Sequence, residues 1–535
     1  MTFAVSRRWI VNLSLAMALL LLGFSQGASA QVTAFKQAVA ETAARDADIA
    51  IFYQASGYES LWTGRSERER QRRSALFSAL SKAGIHGLPV ARYDAAGLQA
   101  RMKSVKTERD RGRVEVEISA TFLRYSRDLQ TGIVVPSRVN RAIVRQVPYR
   151  DRTSYLVKFA ASSPDAFFKA LAPKTTEYNA LMKEKLRMER LLASGGWGAT
   201  VPARSLKPAD SGPAVVAMRN RLIAMGFLKR SNTRTYDASV QAAVQQFQQA
   251  HGLTIDGVAG AATMAELNKG VLQRLQSIIV AMERERWINQ ERGKRHVLVN
   301  LPDFTAKIID NGKVTFQTRS VVGAPQDDRS TPEFSDVMEH MVINPSWYVP
   351  RSIATKEYLP ALKRNPNAVS QIEITDSRGR KVNRSTANFS QYTARTFPFS
   401  MRQPPSKSNA LGLVKFMLPN ANNIYLHDTP AKNLFSREVR AFSHGCIRLA
   451  EPFGFAYALL ARQETDPEGY FQSVLATGRE TRVDLKDPVP VHIIYRTAFA
   501  TPKGRIQYRR DIYGRDAEIW QALSKAGVAL RAVQG

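Results

Sequence analysis

At His296 the hydrophobic period of this chain changes, and that change constrains its architecture more than any other feature. Upstream, apolar residues recur at helical spacing: Met218, Leu222 and Met225, then Val240, Val244 and Phe247, then Leu272, Leu275, Ile279 and Met282. Such spacing puts an apolar stripe on one face of a helix. Downstream the period becomes two. "HVLVN", "TAKIIDNGKVTFQTRSVVG" and "VMEHMVIN" read as strands, with Asn311-Gly312 as a two-residue hairpin turn. "GLVKFML" sets Val414, Phe416 and Leu418 on one face, and "NIYLH" returns, so His427 ends a strand. Helices first and strands afterwards predict a multidomain α+β protein.

Punctuation divides the chain further. Residues 31–193 are helical by pattern and densely charged, with Arg65–Arg73 (RSERERQRR) read as a solvated helix face and His86 as structural. Glycines and prolines mark 194–213 as a linker. Residues 214–270 form a three-helix module, 271–295 a connecting helix, 296–500 the β-rich domain and 501–535 a C-terminal segment. The stretch 349–408 is basic and mixed in pattern, and it reads as an insertion that caps the β-rich domain.

The first 30 residues predict export. Arg7 and Arg8 precede an apolar run from Trp9 to Leu22, and Ala28-Ser29-Ala30 matches a cleavage site. An uncleaved anchor is the rival, but the apolar run is short of the about 20 residues that a span requires. No cysteine lies near the site, so no lipid anchor is expected. The processed chain is expected to be soluble and periplasmic. The formal charge is +31, to which the leader's two arginines contribute little. In an exported chain that excess points to wall polymers or an anionic envelope surface rather than nucleic acid.

Cys446 is the single cysteine of the 535 residues. It cannot pair within its own chain, so it is an intermolecular link, a passive core residue or a reactive thiol. A free thiol of pKa ~8.5 is mostly protonated at neutral pH, and a nearby histidine can take its proton. His444 and His427 are the candidates. Gly445 lets backbone approach a substrate, and the N–H groups of Gly445 and Cys446 are candidate oxyanion donors, each worth about 2.7–4 kcal/mol in such sites. A zinc site of His427, His444 and Cys446 is the competing reading, weakened by two ligands so close in sequence.

"FQQAHGLTIDGVAGAATMAELN" (Phe247 to Asn268) resembles the peptidoglycan-binding-like domain of wall enzymes through Asp256, Gly257, Gly260 and Thr263. "LHDTP" (Leu426 to Pro430) and "SHGCIRL" (Ser443 to Leu449) resemble the signature of the L,D-transpeptidases. "INPSWYVPRSIATKEYLP", "NALGLVKFMLPN" and "PVPVHIIYRTAF" are similar to the long Gram-negative type, and "FYQASGYESLW" (Phe52 to Trp62) to the start of its scaffold domain. The resemblance implies a helical scaffold over 31–193, a peptidoglycan-binding-like domain over 214–270 and an L,D-transpeptidase catalytic domain over 296–500 with a capping subdomain. It implies Cys446 as nucleophile, His427 as proton donor and acceptor, the Asp428 carbonyl as orienter of that ring, and His444 as a histidine lining the site. Ser443, Arg448, Trp347 and Tyr348 become candidate substrate contacts. The implied reaction joins stem peptides by 3–3 cross-links through a thioester, without metal or organic cofactor, on peptidoglycan stem peptides and glycan. Carbapenems are implied as inhibitors. Hydrolysis of the same acyl-enzyme, as a carboxypeptidase or endopeptidase, is the alternative, and a non-catalytic wall-binding protein a weaker one. Ser406 departs from the glycine that the long type tends to carry in this loop.

Overall fold

The computed structural model describes residues 33–530 apart from 327 and 503, so the expected leader and its cleavage site at Ala30 lie outside the described residues. The described chain divides into two units. One holds residues up to 82 together with 93–126 and 150–169; the other holds 83–92, 127–149 and 170 onward.

The first unit is helical. Its core is an aromatic cluster in which Trp62 stacks on Phe159 at 5.0 Å between centroids and Phe122 meets Phe159 at 4.8 Å. The Glu115 carboxylate is fully buried but not unpartnered. It accepts from Tyr53 Oη at 2.8 Å and from the backbone N–H groups of Leu61, Trp62 and Thr63 at 2.6–3.0 Å. Those bonds replace the lost hydration. The helix Glu67–Ser81 begins with a capping box between Ser66 and Glu69. The solvated-face reading of Arg65–Arg73 needs one correction: Arg72 is buried and donates to the Leu61 and Ala160 carbonyls. A long side chain can bury its stem when its head finds acceptors.

The second unit is built on the helix Val271–Trp287. Leu272, expected on its apolar face, is exposed, whereas every residue from Ile278 to Trp287 is buried. The buried charges are paired: Arg284 donates to Glu333 at 2.6 Å and to Asp516 at 3.0 Å, and Arg515 also meets Glu333. Breaking one partner of such a set leaves an uncompensated buried charge. Tyr178, Leu181 and Met188 of the helix Thr176–Ala193 share a core with Leu275, Ile279 and Met282. The helical region up to 193 is therefore not one compact piece, because this last helix finds its apolar partner in the second unit. The linker 194–213 is also corrected. Val201 and Leu206 belong to the core of the three-helix module, Leu206 bridges Ala259, and the Val201 N–H donates to Asn268.

That module consists of the helices Pro213–Ala224, Ala238–Ala250 and Ala261–Leu267, with Met218, Leu222, Val240, Val244 and Phe247 buried. The strands follow: β1 (Arg295–Asn300), β2 (Thr305–Asp310), β3 (Lys313–Gly323), β4 (Phe334–Ile343), β5 (Trp347–Tyr348), β6 (Glu373–Thr375), β7 (Ser400–Gln403), β8 (Val414–Met417), β9 (Leu426–His427), β10 (Ala441–Ser443), β11 (Ile447–Leu449), β12 (Thr481–Ile494), β13 (Ala498–Ala500) and β14 (Ile506–Tyr508). Asn311 and Gly312 both have positive φ, 50° and 79°, which suits the tight turn between β2 and β3. The main sheet runs β10-β3-β11-β9-β8-β4-β12-β1-β2, and β2 pairs back onto β3. This closure leaves few open edges. The inserted stretch has its own sheet, β5-β7-β6, and its own core of Trp347, Leu359, Leu362, Phe389, Phe397 and Met401. The mixed sequence pattern concealed a small folded subdomain. Ser406 lies exposed in its return loop, 3.2 Å from Ser408 Oγ. The fold class is thus mixed α+β and multidomain. Among the described residues no helix is long and apolar enough to cross a membrane.

Burial shapes the acid response of the second unit. Six of the seven histidines are held below their ordinary value mainly by burial: His86 and His492 to about 4, His427 to about 3, His251 well below, and His296 and His340 lowered. The unfolded chain therefore binds more protons below about pH 6.5, and stability falls as pH drops from there toward the folded values. A fully buried ring contributes up to about 2 kcal/mol of that loss at about pH 5. The thermal midpoint is expected to be several degrees lower at about pH 5 than at about pH 7.5. An unchanged or higher midpoint in acid would contradict this.

Candidate active site

The register of three short strands assembles the site. β9 and β11 run parallel, with Leu426 opposite Ile447 and His427 opposite Arg448, and β8 brings Lys415 opposite His427. Side chains alternate across a strand. Leu426, Ile447, Leu449 and Phe416 enter the core. His427, Arg448 and Lys415 share the other face, and Tyr425, two residues before His427, precedes them on it.

Cys446 sits in the turn that leads from β10 into β11. Gly445 has φ +116°, a conformation that other residues rarely adopt, and a Cβ there would lie 3.1 Å from Ile424. Thr331 Oγ1 donates to the Gly445 carbonyl at 2.7 Å, and Ser443 Oγ donates to the Cys446 carbonyl at 2.5 Å. Ser443 is buried and holds this turn from inside, so it is not presented as a substrate contact. The Gly445 N–H donates to Ser443 Oγ at 3.2 Å, so it is already engaged in this state and does not point at a vacant oxyanion position.

Cys446 Sγ keeps partial access to solvent and lies 3.6 Å from the Asn423 carbonyl. Burial pushes the thiol up to about 11, against the opposing pull of the Tyr425 N–H and phenol and of Arg448. A thiolate here would be poorly solvated, so the resting form is the thiol, and a histidine has to take its proton as sulfur reacts. His427 is buried, and its Nδ1 donates to the Asp428 carbonyl at 2.5 Å. That bond fixes the tautomer and leaves Nε2 as the basic atom. Burial and the charge of Arg448 push the ring down to about 3. The Asp428 carboxylate accepts from the Leu413 N–H at 2.9 Å and from Lys432 at 2.5 Å. Gly412, with φ +64°, must be glycine here, since a Cβ would lie 2.2 Å from Asp428 Oδ2.

His444 does not join His427. It is partly exposed, and its Nε2 donates at 2.5 Å to Glu357, which lies in the inserted stretch. Arg448 is largely buried, its Nε finds no hydrogen-bond partner among the described residues, and desolvation lowers its guanidinium. Trp347 is buried in the core of the insertion and contacts the Tyr425 phenol, so it supports the site from behind, while Tyr348 is exposed. Tyr425, Thr331 and Glu357 were missed in the sequence. The alternation that placed His427 could have exposed Tyr425; nothing local marks the other two. Among the described residues, no group of three or more His, Cys, Asp or Glu side chains is placed to hold a metal ion.

Known proteins share these regions. Residues 294–493 match the family described as the L,D-transpeptidase catalytic domain, residues 47–184 a scaffold domain and residues 211–267 a "Putative peptidoglycan binding domain". A curated protein of Haemophilus influenzae, named "Putative L,D-transpeptidase", is 32% identical over 225 residues, which is 42% of this chain and 45% of that one. The chain thus matches less than half the length of this relative. Among solved structures, the L,D-transpeptidase of Xylanimonas cellulosilytica is 14% identical, with 55% of this chain and 98% of that chain covered and a TM-score of 0.17. The L,D-transpeptidase from Stackebrandtia nassauensis is 13% identical, with 55% and 97% covered and a TM-score of 0.22.

Proposed function

From the match of residues 294–493 to the L,D-transpeptidase catalytic domain, we propose that the chain forms 3–3 cross-links in peptidoglycan through a thioester on Cys446. The observation that carries this reading is the pairing of β9 with β11, which sets His427 beside the strand that Cys446 leads into, with Nδ1 tied to the Asp428 carbonyl.

The resting pair is a neutral thiol and a neutral imidazole. Sulfur attacks the carbonyl carbon of the third stem residue as its proton passes to His427 Nε2, so no free thiolate accumulates. The C–N bond to the terminal D-alanine then breaks, and the imidazolium returns the proton to the leaving amine. A thioester remains. The side-chain amine of a second stem attacks it, its proton goes to His427, and the Cys446 sulfur leaves and regains a proton. The developing oxyanion is met by the backbone N–H of Cys446, and that of Gly445 must first release Ser443 Oγ. Arg448, whose Nε has no partner among the described residues, and Lys415 offer charge to a substrate carboxylate. The peptidoglycan-binding match supports glycan as a partner and a location at the wall, and the leader reading supports export to the periplasm.

Incubation of the processed protein with disaccharide-tetrapeptide tests this. Mass spectrometry is expected to find cross-linked dimers and free D-alanine. Tripeptide without dimers would replace the proposal with a hydrolase. Intact mass after a carbapenem is expected to show one adduct per chain.

A further inference from the structure

The insertion reaches the catalytic turn through one carboxylate. Glu357 lies in the π-helical turn Ala354–Tyr358, a geometry that often marks functional positions. Its Oε1 accepts from His444 Nε2 at 2.5 Å and from Arg329 Nη2 at 2.8 Å. The neighbouring Lys356 pairs with Asp328, so the same turn of the insertion grips the 328–331 loop twice. That loop in turn supports the catalytic turn through Thr331 and the Gly445 carbonyl.

The two histidines are therefore held in opposite tautomers. His427 carries its proton on Nδ1, facing a carbonyl; His444 carries it on Nε2, facing a carboxylate. A carboxylate that accepts from one ring nitrogen fixes the ring's orientation and favours the positive charge that appears if the ring takes up a proton. We propose that Glu357 is a positioning residue of the transpeptidase reaction, which orients His444 from the inserted subdomain so that the site is complete only when that subdomain is seated.

This rests on the function proposed above, so the test separates the two. Histidine labelled with 15N in the full processed chain gives ring resonances for each tautomer, with His444 assigned from His444→Gln. Wild type is expected to show His444 protonated on Nε2, and Glu357→Ala a mixture of tautomers. Glu357→Gln keeps shape and an acceptor but loses the charge. It is expected to slow acylation about tenfold, and Glu357→Ala about 100-fold, with the donor concentration at half-maximal rate changed less than about twofold. Glu357→Asp is expected to recover part of the rate. Wild-type acylation in both Glu357→Gln and Glu357→Ala, or an Nε2-protonated His444 in Glu357→Ala, would overturn the inference. A wild-type protein that makes no dimers yet shows the expected tautomers would overturn the proposed function and leave the Glu357–His444 assignment standing.

Discussion

Cys446→Ala is expected to abolish dimer formation and carbapenem adducts while leaving the fold intact. The side chain is partly open to solvent and lies outside the main apolar core, so its removal leaves no large cavity. Circular dichroism and the thermal midpoint should match wild type. In the wild type, an alkylating reagent should modify one site, since the chain has one cysteine. Its rate should still be climbing steeply at about pH 10, because burial holds the thiol at about 11, whereas an ordinary thiol, half ionised at about pH 8.5, has nearly levelled off by about pH 10. Turnover by Cys446→Ala, or an adduct on another residue, would end the nucleophile assignment.

The second large effect belongs to His427. General acid–base catalysis is worth roughly 10²–10⁴ in rate, and His427→Ala is expected to lose about that factor in acylation by a carbapenem. The ring is held near 3, so it stays neutral from about pH 5 to 8. Over that window the wild-type rate should show no titration of His427, and the loss in His427→Ala should be constant. His444→Ala should be impaired by less. Stopped-flow acylation across pH measures both. If His427→Ala kept the wild-type rate while His444→Ala lost it, the base role would pass to His444.

Local pattern carried much of this fold. The alternation of "NIYLH" and "GLVKFML" set out two short strands and the end position of His427, and Asn311-Gly312 marked a hairpin whose φ values are both positive. Helical spacing outlined two of the three helices of the small module, because each such helix buries one face. The same reasoning failed on the helix Val271–Trp287. A one-sided stripe predicts an exposed opposite face there, yet the charged second half is buried: Arg284 finds acid partners far away in sequence, and Arg286 pairs with Glu283 one turn before it. It failed again on 194–213, where glycine and proline suggested a linker but Leu206 and Val201 fill a core.

The candidate site divides in the same way. By itself, the sequence determined that the chain has one thiol, that His444 and Gly445 precede it, and that His427 ends a strand; these are properties of residues close together in the chain. Only the tertiary structure decided which histidine meets which partner. It gave His427 a backbone carbonyl and His444 the carboxylate of Glu357, 87 residues away. It also buried the thiol and the imidazole enough to keep both neutral. The reason is physical. Periodicity reports how a segment shares its surface with a core, whereas desolvation and ion pairing depend on which distant groups arrive at the same place, and no local spacing encodes that.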